Sequence, residues 1–111
     1  MKIAKLSDFK RGWIIGDFEP NVFRTKDFEV GIAEHKKGDV WTAHYHKVAT
    51  EYNVMLDGVM IIGGEKIEAG DVFVFEPGDI ADPTFLEDCR ILCVKVPSII
   101  GDKYEVLPKQ E

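Results

Sequence analysis

His44 and His46 stand one residue apart, and Glu51 follows after Lys47–Thr50. On an extended strand, residues two apart project to the same side. The two imidazoles therefore point together, and Tyr45 between them points away. The segment Lys47–Thr50 is long enough to turn the chain, so Glu51, opening the next strand, can face the pair across a hairpin. Two imidazoles and one carboxylate form the donor set of a divalent first-row metal and match the two-His-one-carboxylate pattern of non-haem iron sites. Without a metal, the same residues read as ordinary strand positions with satisfied hydrogen bonds.

The same periodicity reaches the neighbours. Asn53 and Met55 share the face of Glu51 and are expected to line a cavity beside it, Met55 being the more core-like. Tyr52 faces away and packs. Trp41, ahead of the histidines, is expected as cavity wall or packing, and Phe73, Phe75 and Phe85 as apolar wall or core. His35, at a strand end beside Lys36-Lys37, is expected at the surface. Cys89 and Cys93 fall in one strand. At ~3.3 Å per residue their Cα atoms lie ~13 Å apart, beyond the ~7 Å that a disulfide spans. Both are expected as buried, reduced thiols. No Gly-x-Ser-x-Gly elbow, Walker A loop, Gly-x-Gly-x-x-Gly or Cys-x-x-Cys is present, which removes the common hydrolase, nucleotide and redox signatures.

The elements that must position these residues are strands. Phe28–Glu34 alternates apolar and polar residues. Lys36–Asp39 reads as a turn. Val54–Leu56 leads into Asp57-Gly58, then Val59–Ile62, then Gly63-Gly64, and both glycine pairs are hairpin signals between apolar runs. Ala69-Gly70 is a further turn. Val72–Phe75 ends at Pro77-Gly78, and Ile91–Val96 stops at Pro97. A short turn of helix is expected near Leu6–Phe9, capped by Ser7. Short strands with a turn every 8 to 12 residues indicate an all-β sandwich or barrel. The N-terminal strands, around Ile3–Leu6 and Trp13–Phe18, are expected to cover a sheet edge or to pair with a second subunit, which makes a homodimer the expected assembly.

A chain of 111 residues fits one domain. Its expected parts are N-terminal edge strands over 1–27, a core barrel over about 28–97 and a surface tail over 98–111. No apolar run approaches the ~20 residues of a membrane span, and Met1–Asp8 has no apolar signal region. A cytoplasmic protein is the expectation, with no membrane partner. The net charge of −6 repels phosphate backbones, and the basic residues are scattered, so nucleic acid is not an expected partner either.

The spacing Gly38, five residues, His44, one residue, His46, four residues, Glu51, six residues, Gly58 resembles the first conserved motif of the cupin superfamily at every defining position. The second motif is matched in part. Gly70 and Gly78 agree, Glu76 stands where proline is usual, and the usual histidine and asparagine fall at Ala81 and Phe85. The resemblance runs from Gly38 to about Phe85, and the last strand extends it to about Val96. It implies a jelly-roll β-barrel of two facing antiparallel sheets. It also implies His44, His46 and Glu51 as ligands of a divalent ion (Fe, Ni, Zn or Mn) and a small polar molecule as ligand, with dioxygenase- or isomerase-type chemistry. A non-catalytic or metal-free sugar-binding cupin, and a metal-free sugar isomerase or epimerase, are the alternatives it leaves open. With alanine at position 81, Asp82 is the one candidate for a fourth ligand, and only if a bulge at Pro83 re-aims it. Water in the open positions is what a catalytic metal requires.

Overall fold

A computed structural model describes residues 1–106. Its strands are β1 (Trp13–Ile15), β2 (Glu29–His35), β3 (His44–Tyr45), β4 (Thr50–Asp57), β5 (Val59–Ile62), β6 (Glu65–Glu68), β7 (Val72–Phe75), β8 (Thr84–Phe85), β9 (Cys89–Val96) and β10 (Tyr104–Glu105). Among the described residues the only helical pieces are two short 3-10 turns, Leu6–Asp8 and Lys10–Gly12. The strands form an antiparallel five-stranded sheet in the order β1-β2-β9-β4-β7, a three-stranded sheet β6-β5-β8 and a pair β10-β3. Met55, Cys89, Ile91 and Cys93 from the large sheet meet Met60 and Phe85 from the three-stranded one in a single core. Both cysteines are free and buried, as expected.

One turn recurs at the barrel's rim. Lys36–Asp39, Glu68–Asp71 and Glu76–Asp79 each place glycine third and aspartate fourth. The glycines carry φ of +80°, +92° and +92°, a region that suits glycine. Each aspartate donates its N–H to the first carbonyl at 3.0 Å and accepts the first residue's N–H on its carboxylate at 2.9 Å. A turn closed in both directions holds the strand ends on either side of it.

Several elements differ from the sequence reading. Gly63-Gly64 does close the β5–β6 hairpin, but Asp57-Gly58 does not close one. β4 pairs with β7 and β9, whereas β5 pairs with β6 and β8, so the chain changes sheets there. Gly58 lies so close to the Asp88 carbonyl that a Cβ would collide with it. Ile3–Leu6 forms no strand. β1 alone reaches the large sheet and covers the β2 edge, with the Trp13 ring over the bare backbone of Gly31. The first 3-10 turn is capped not by Ser7, which lies inside it, but by the Asp8 carboxylate, which accepts the Lys5 N–H at 3.0 Å. The segment after Val96 continues into β10, which pairs with β3; residues 107–111 of the expected tail lie outside the described residues.

Candidate functional site

Strand register decides what faces the barrel interior. In β2 the alternation runs opposite to its apolar residues: Glu29 and Gly31 are buried, and the β-branched Val30 and Ile32 point outward. Across the sheet, one inward row reads Glu29, Lys95, Glu51, Phe75 and the next reads Gly31, Cys93, Asn53, Phe73. Glu51 therefore sits between a lysine and an aromatic ring. The Asn53 amide donates to Glu51 Oε2 at 3.3 Å and to the Phe73 carbonyl at 3.4 Å, which orients the carboxylate from behind.

His46 is buried and anchored by Asp102, a residue that no motif or spacing singles out. Its Nδ1–H donates to the backbone carbonyl of Asp102. The Asp102 carboxylate accepts the N–H groups of Lys47 (2.9 Å), Val48 (3.2 Å) and Ala49 (2.8 Å). One aspartate thus fixes the imidazole and the loop that leads to Glu51. A carbonyl can only accept, so Nδ1 carries the proton and Nε2 is left for the cavity. That Nε2 lies 3.7 Å from Glu51 Oε1, an ion-pair separation longer than a hydrogen bond.

His44 is held more lightly. Its backbone exchanges hydrogen bonds with Ala81 at 3.0 and 2.8 Å and pairs with Glu105 of β10 on the other side. Its Nδ1 is 3.3 Å from the Thr42 carbonyl, so its Nε2 is also free. The two imidazole centroids are 5.8 Å apart at 73°. Among the described residues no three His, Cys, Asp or Glu side chains gather into a group that could hold a metal. The structure brings His46 and Glu51 together and leaves His44 one ring away. The expected hairpin between β3 and β4 does not form, because β3 pairs with β10 and β4 belongs to the large sheet. The donor types are those that a divalent ion takes, and for His46 and Glu51 the spacing agrees as well. Two Nε2 lone pairs and a carboxylate are available, and 3.7 Å is within the ~4.2 Å that two ligands at ~2.1 Å span across one ion.

These contacts set the proton affinities. The Glu51 carboxylate raises His46 above the ordinary imidazole value. Burial lowers His44. Burial alone would raise Glu51, but His46 and Lys95 outweigh it and hold the carboxyl below its usual range. Burial pushes the Cys93 thiol up to about 12, so that thiol is inert at neutral pH.

His44, His46 and Glu51 open into a cavity of about 170 Å³, where Trp41 and Phe85 form part of the wall. Asn53 and Met55 do not line it. They are 2% and 0% exposed, because both lie beneath the cavity floor, one bracing Glu51 and the other in the core. Asp82 is exposed and lies outside the lining, while Ala81 faces the cavity opposite His44. The fourth ligand position of the resemblance is thus a methyl group. His35 is not at the surface: it stacks on Phe85 (4.3 Å, 14°), meets Trp41 edge-on (4.9 Å, 82°) and lines the cavity. Its buried Nδ1 has no hydrogen-bond partner among the described residues. Its parity with Gly31 and Ala33 was the available signal. Arg11, Trp13, Lys95 and Lys103 also line the cavity, and the spacing around the histidines gave no sign of them.

No protein-family model matches the chain, and no curated protein matches it. Solved structures do. A conserved double-stranded β-helix protein of uncharacterized function from Klebsiella pneumoniae aligns over 97% of this chain and 99% of its own at 17% identity, with a TM-score of 0.68. A DMSP lyase from Ruegeria pomeroyi aligns over 95% of this chain and 57% of its own at 17% identity, TM-score 0.70. A cupin-superfamily sugar phosphate isomerase from Silicibacter pomeroyi aligns over 65% and 52% at 21% identity, TM-score 0.53. The chain has the cupin fold, an all-β jelly roll. At these identities the likeness establishes the fold, and the fold's neighbours catalyse reactions of different classes.

Proposed function

We propose that the barrel cavity is a metal-dependent small-molecule site in which His44, His46 and Glu51 hold one divalent cation. The observation that carries this reading is the orientation of the donors: both imidazoles keep Nδ1 at a backbone carbonyl, and His46 Nε2 faces Glu51 Oε1 at 3.7 Å. Such an ion, when bound, supplies Lewis-acid polarisation of a substrate oxygen. The chain's own residues do the rest. Asp102 fixes the His46 tautomer, and Asn53 fixes the carboxylate, as outer-shell partners do at metal sites. Trp41, Phe85 and His35 supply an aromatic wall to the cavity. Isomerase- and dioxygenase-type reactions both suit this arrangement, and the lyase and isomerase among the fold's neighbours support an enzymatic reading.

The same pair favours a second reading. His46, with its proton affinity raised by Glu51, is equipped to move a proton to and from a bound sugar-like molecule without a metal. Elemental analysis of untagged protein separates the two. Stoichiometric metal that disappears in His46→Ala supports the first; no bound metal and no uptake of Ni(II), Zn(II), Fe(II) or Mn(II) leaves the second. We also propose that two copies of the chain pair. The outer face of the large sheet exposes Tyr52, Val72, Val74 and Val96, an apolar surface of the kind that subunits cover. Light scattering that returns the monomer mass would count against it.

A further inference from the structure

The chain carries 20 acidic and 14 basic residues, yet the charges around its cavity run the other way. Arg11, Lys95 and Lys103 line it, and Glu51 is its one carboxylate among the described residues. The same three cations, with Trp13, also form part of an adjoining surface pocket, whose far side carries Glu19, Glu29 and Asp102. The cations therefore stand where the cavity meets solvent.

Three observations bear on how much of this charge is free, and they favour Arg11 and Lys103. Among the described residues neither Arg11 nor Lys103 has a carboxylate within ion-pair distance, whereas Lys95 pairs with Glu29 at 3.9 Å and stands beside Glu51. Both lysines are also placed over indole rings: Lys103 Nζ lies 4.9 Å from the Trp41 centroid and Lys95 Nζ 4.8 Å from that of Trp13. A cation–π contact fixes an ammonium without neutralising it. Arg11, finally, is the one non-glycine residue with positive φ among those described, at φ 51° and ψ 30°. That backbone region disfavours a side chain and persists where the surroundings enforce it. Burial, and after it the nearness of Arg11 and Lys95, makes Lys103 hold its proton less tightly than usual. Arg11 and Lys95 thus repel the Lys103 ammonium, and an anion beside it relieves that repulsion.

Size narrows the ligand. A cavity of about 170 Å³ is close to the ~150 Å³ that accommodates one benzene molecule, so it suits a compact molecule rather than a nucleotide or an oligosaccharide. We propose that the cavity takes a small organic anion, its carboxylate or phosphate group seated among Arg11, Lys95 and Lys103 and its other end against His46 and Glu51. This rests on the reading that the cavity is the ligand site, and it adds the chemical class of the ligand.

Both tryptophans line the cavity, so intrinsic fluorescence reports its occupancy directly. The full chain is titrated with propionate, benzoate, glycerol 3-phosphate and inorganic phosphate, and with the neutral partners propionamide, benzamide and glycerol, while the His46 ring is followed by NMR. At least one anion is expected to bind about tenfold more tightly than its neutral partner, and Arg11→Gly and Lys103→Met each to weaken it about tenfold, the loss of one charge-assisted hydrogen bond. Glycine suits the left-handed backbone at position 11, so that variant keeps the fold. Lys66→Ala, which removes a lysine paired with Glu68 on the surface, serves as the control and is expected to bind like the unaltered chain. The carboxylate and phosphate arms identify which anion is preferred. Neutral partners that bind as well as the anions, or variants that bind unchanged, overturn the anion assignment and leave the cavity reading standing. If no probe disturbs the tryptophans or His46, both fall.

Discussion

The two sides of the cavity are built differently. On the side of the large sheet, Glu51 stands in an eight-residue strand, braced by Asn53 and flanked by Lys95, and it faces His46, which follows β3 and is tied to Asp102. On the other side, His44 sits in a two-residue strand beside a methyl group at Ala81, with a 3.3 Å contact to Thr42 as its side-chain anchor. The first side is pre-organised and the second is open. A site of this kind holds its central group firmly on one wall and leaves room at the other for a ligand to complete the arrangement.

Metal affinity tests this difference most strongly. His46→Ala is expected to abolish uptake of Ni(II) or Mn(II) in equilibrium dialysis. His44→Ala, which removes the more lightly held ligand, is expected to weaken it less, by about tenfold. Equal losses would mean that the two sides contribute alike. Acidification separates them as well. Protons compete with a metal for Nε2, and Glu51 raises the proton affinity of His46 above its ordinary value of 6.5. Metal affinity should therefore begin to fall while the pH is still above 6.5.

The anchor comes next. Asp102→Ala removes the acceptor of three backbone N–H groups and is expected to lower unfolding free energy by about 3 kcal/mol in urea denaturation. A loss below 1 kcal/mol would show that the loop holds itself. These hydrogen bonds outweigh burial and keep the Asp102 carboxyl below its ordinary 3.8. A depressed carboxyl contributes stability above its unfolded value and loses it as pH falls through the folded one. The unaltered chain should lose stability below about pH 4 more steeply than Asp102→Asn.

The open side offers a gain of function. Ala81 faces the cavity opposite His44, so Ala81→His should add a ligand and tighten metal binding about tenfold. Weaker binding would mean that the ring does not fit there. The smallest expected effect is at Cys93, whose thiol is pushed up to about 12. Iodoacetamide at pH 8 should leave it unmodified in the folded protein, and rapid labelling would contradict its burial.

Local spacing carried much of this site in the sequence. Two residues apart on a strand is a statement about side-chain direction, so the pairing of His44 with His46 and the outward Tyr45 were legible, whereas the position of Ala81 came from the resemblance to the second cupin motif. Partnerships between distant strands were not legible, because register is set by the whole sheet. Lys95 meets Glu51 only through β4–β9 pairing, and Asp102 reaches His46 across 56 positions. Asp57-Gly58 misled because a glycine that permits a hairpin also permits a change of sheet. His35 misled because its charged neighbours pointed to solvent, while its strand parity pointed inward.

Anomalous diffraction from a crystal of untagged protein, recorded at the edge of its bound metal, tests the central claim most directly. A single peak within about 2.0–2.2 Å of His46 Nε2, a Glu51 oxygen and His44 Nε2 is the predicted result. A peak elsewhere, or a cavity filled by an organic molecule bonded directly to His46 with no anomalous signal beside it, would contradict it.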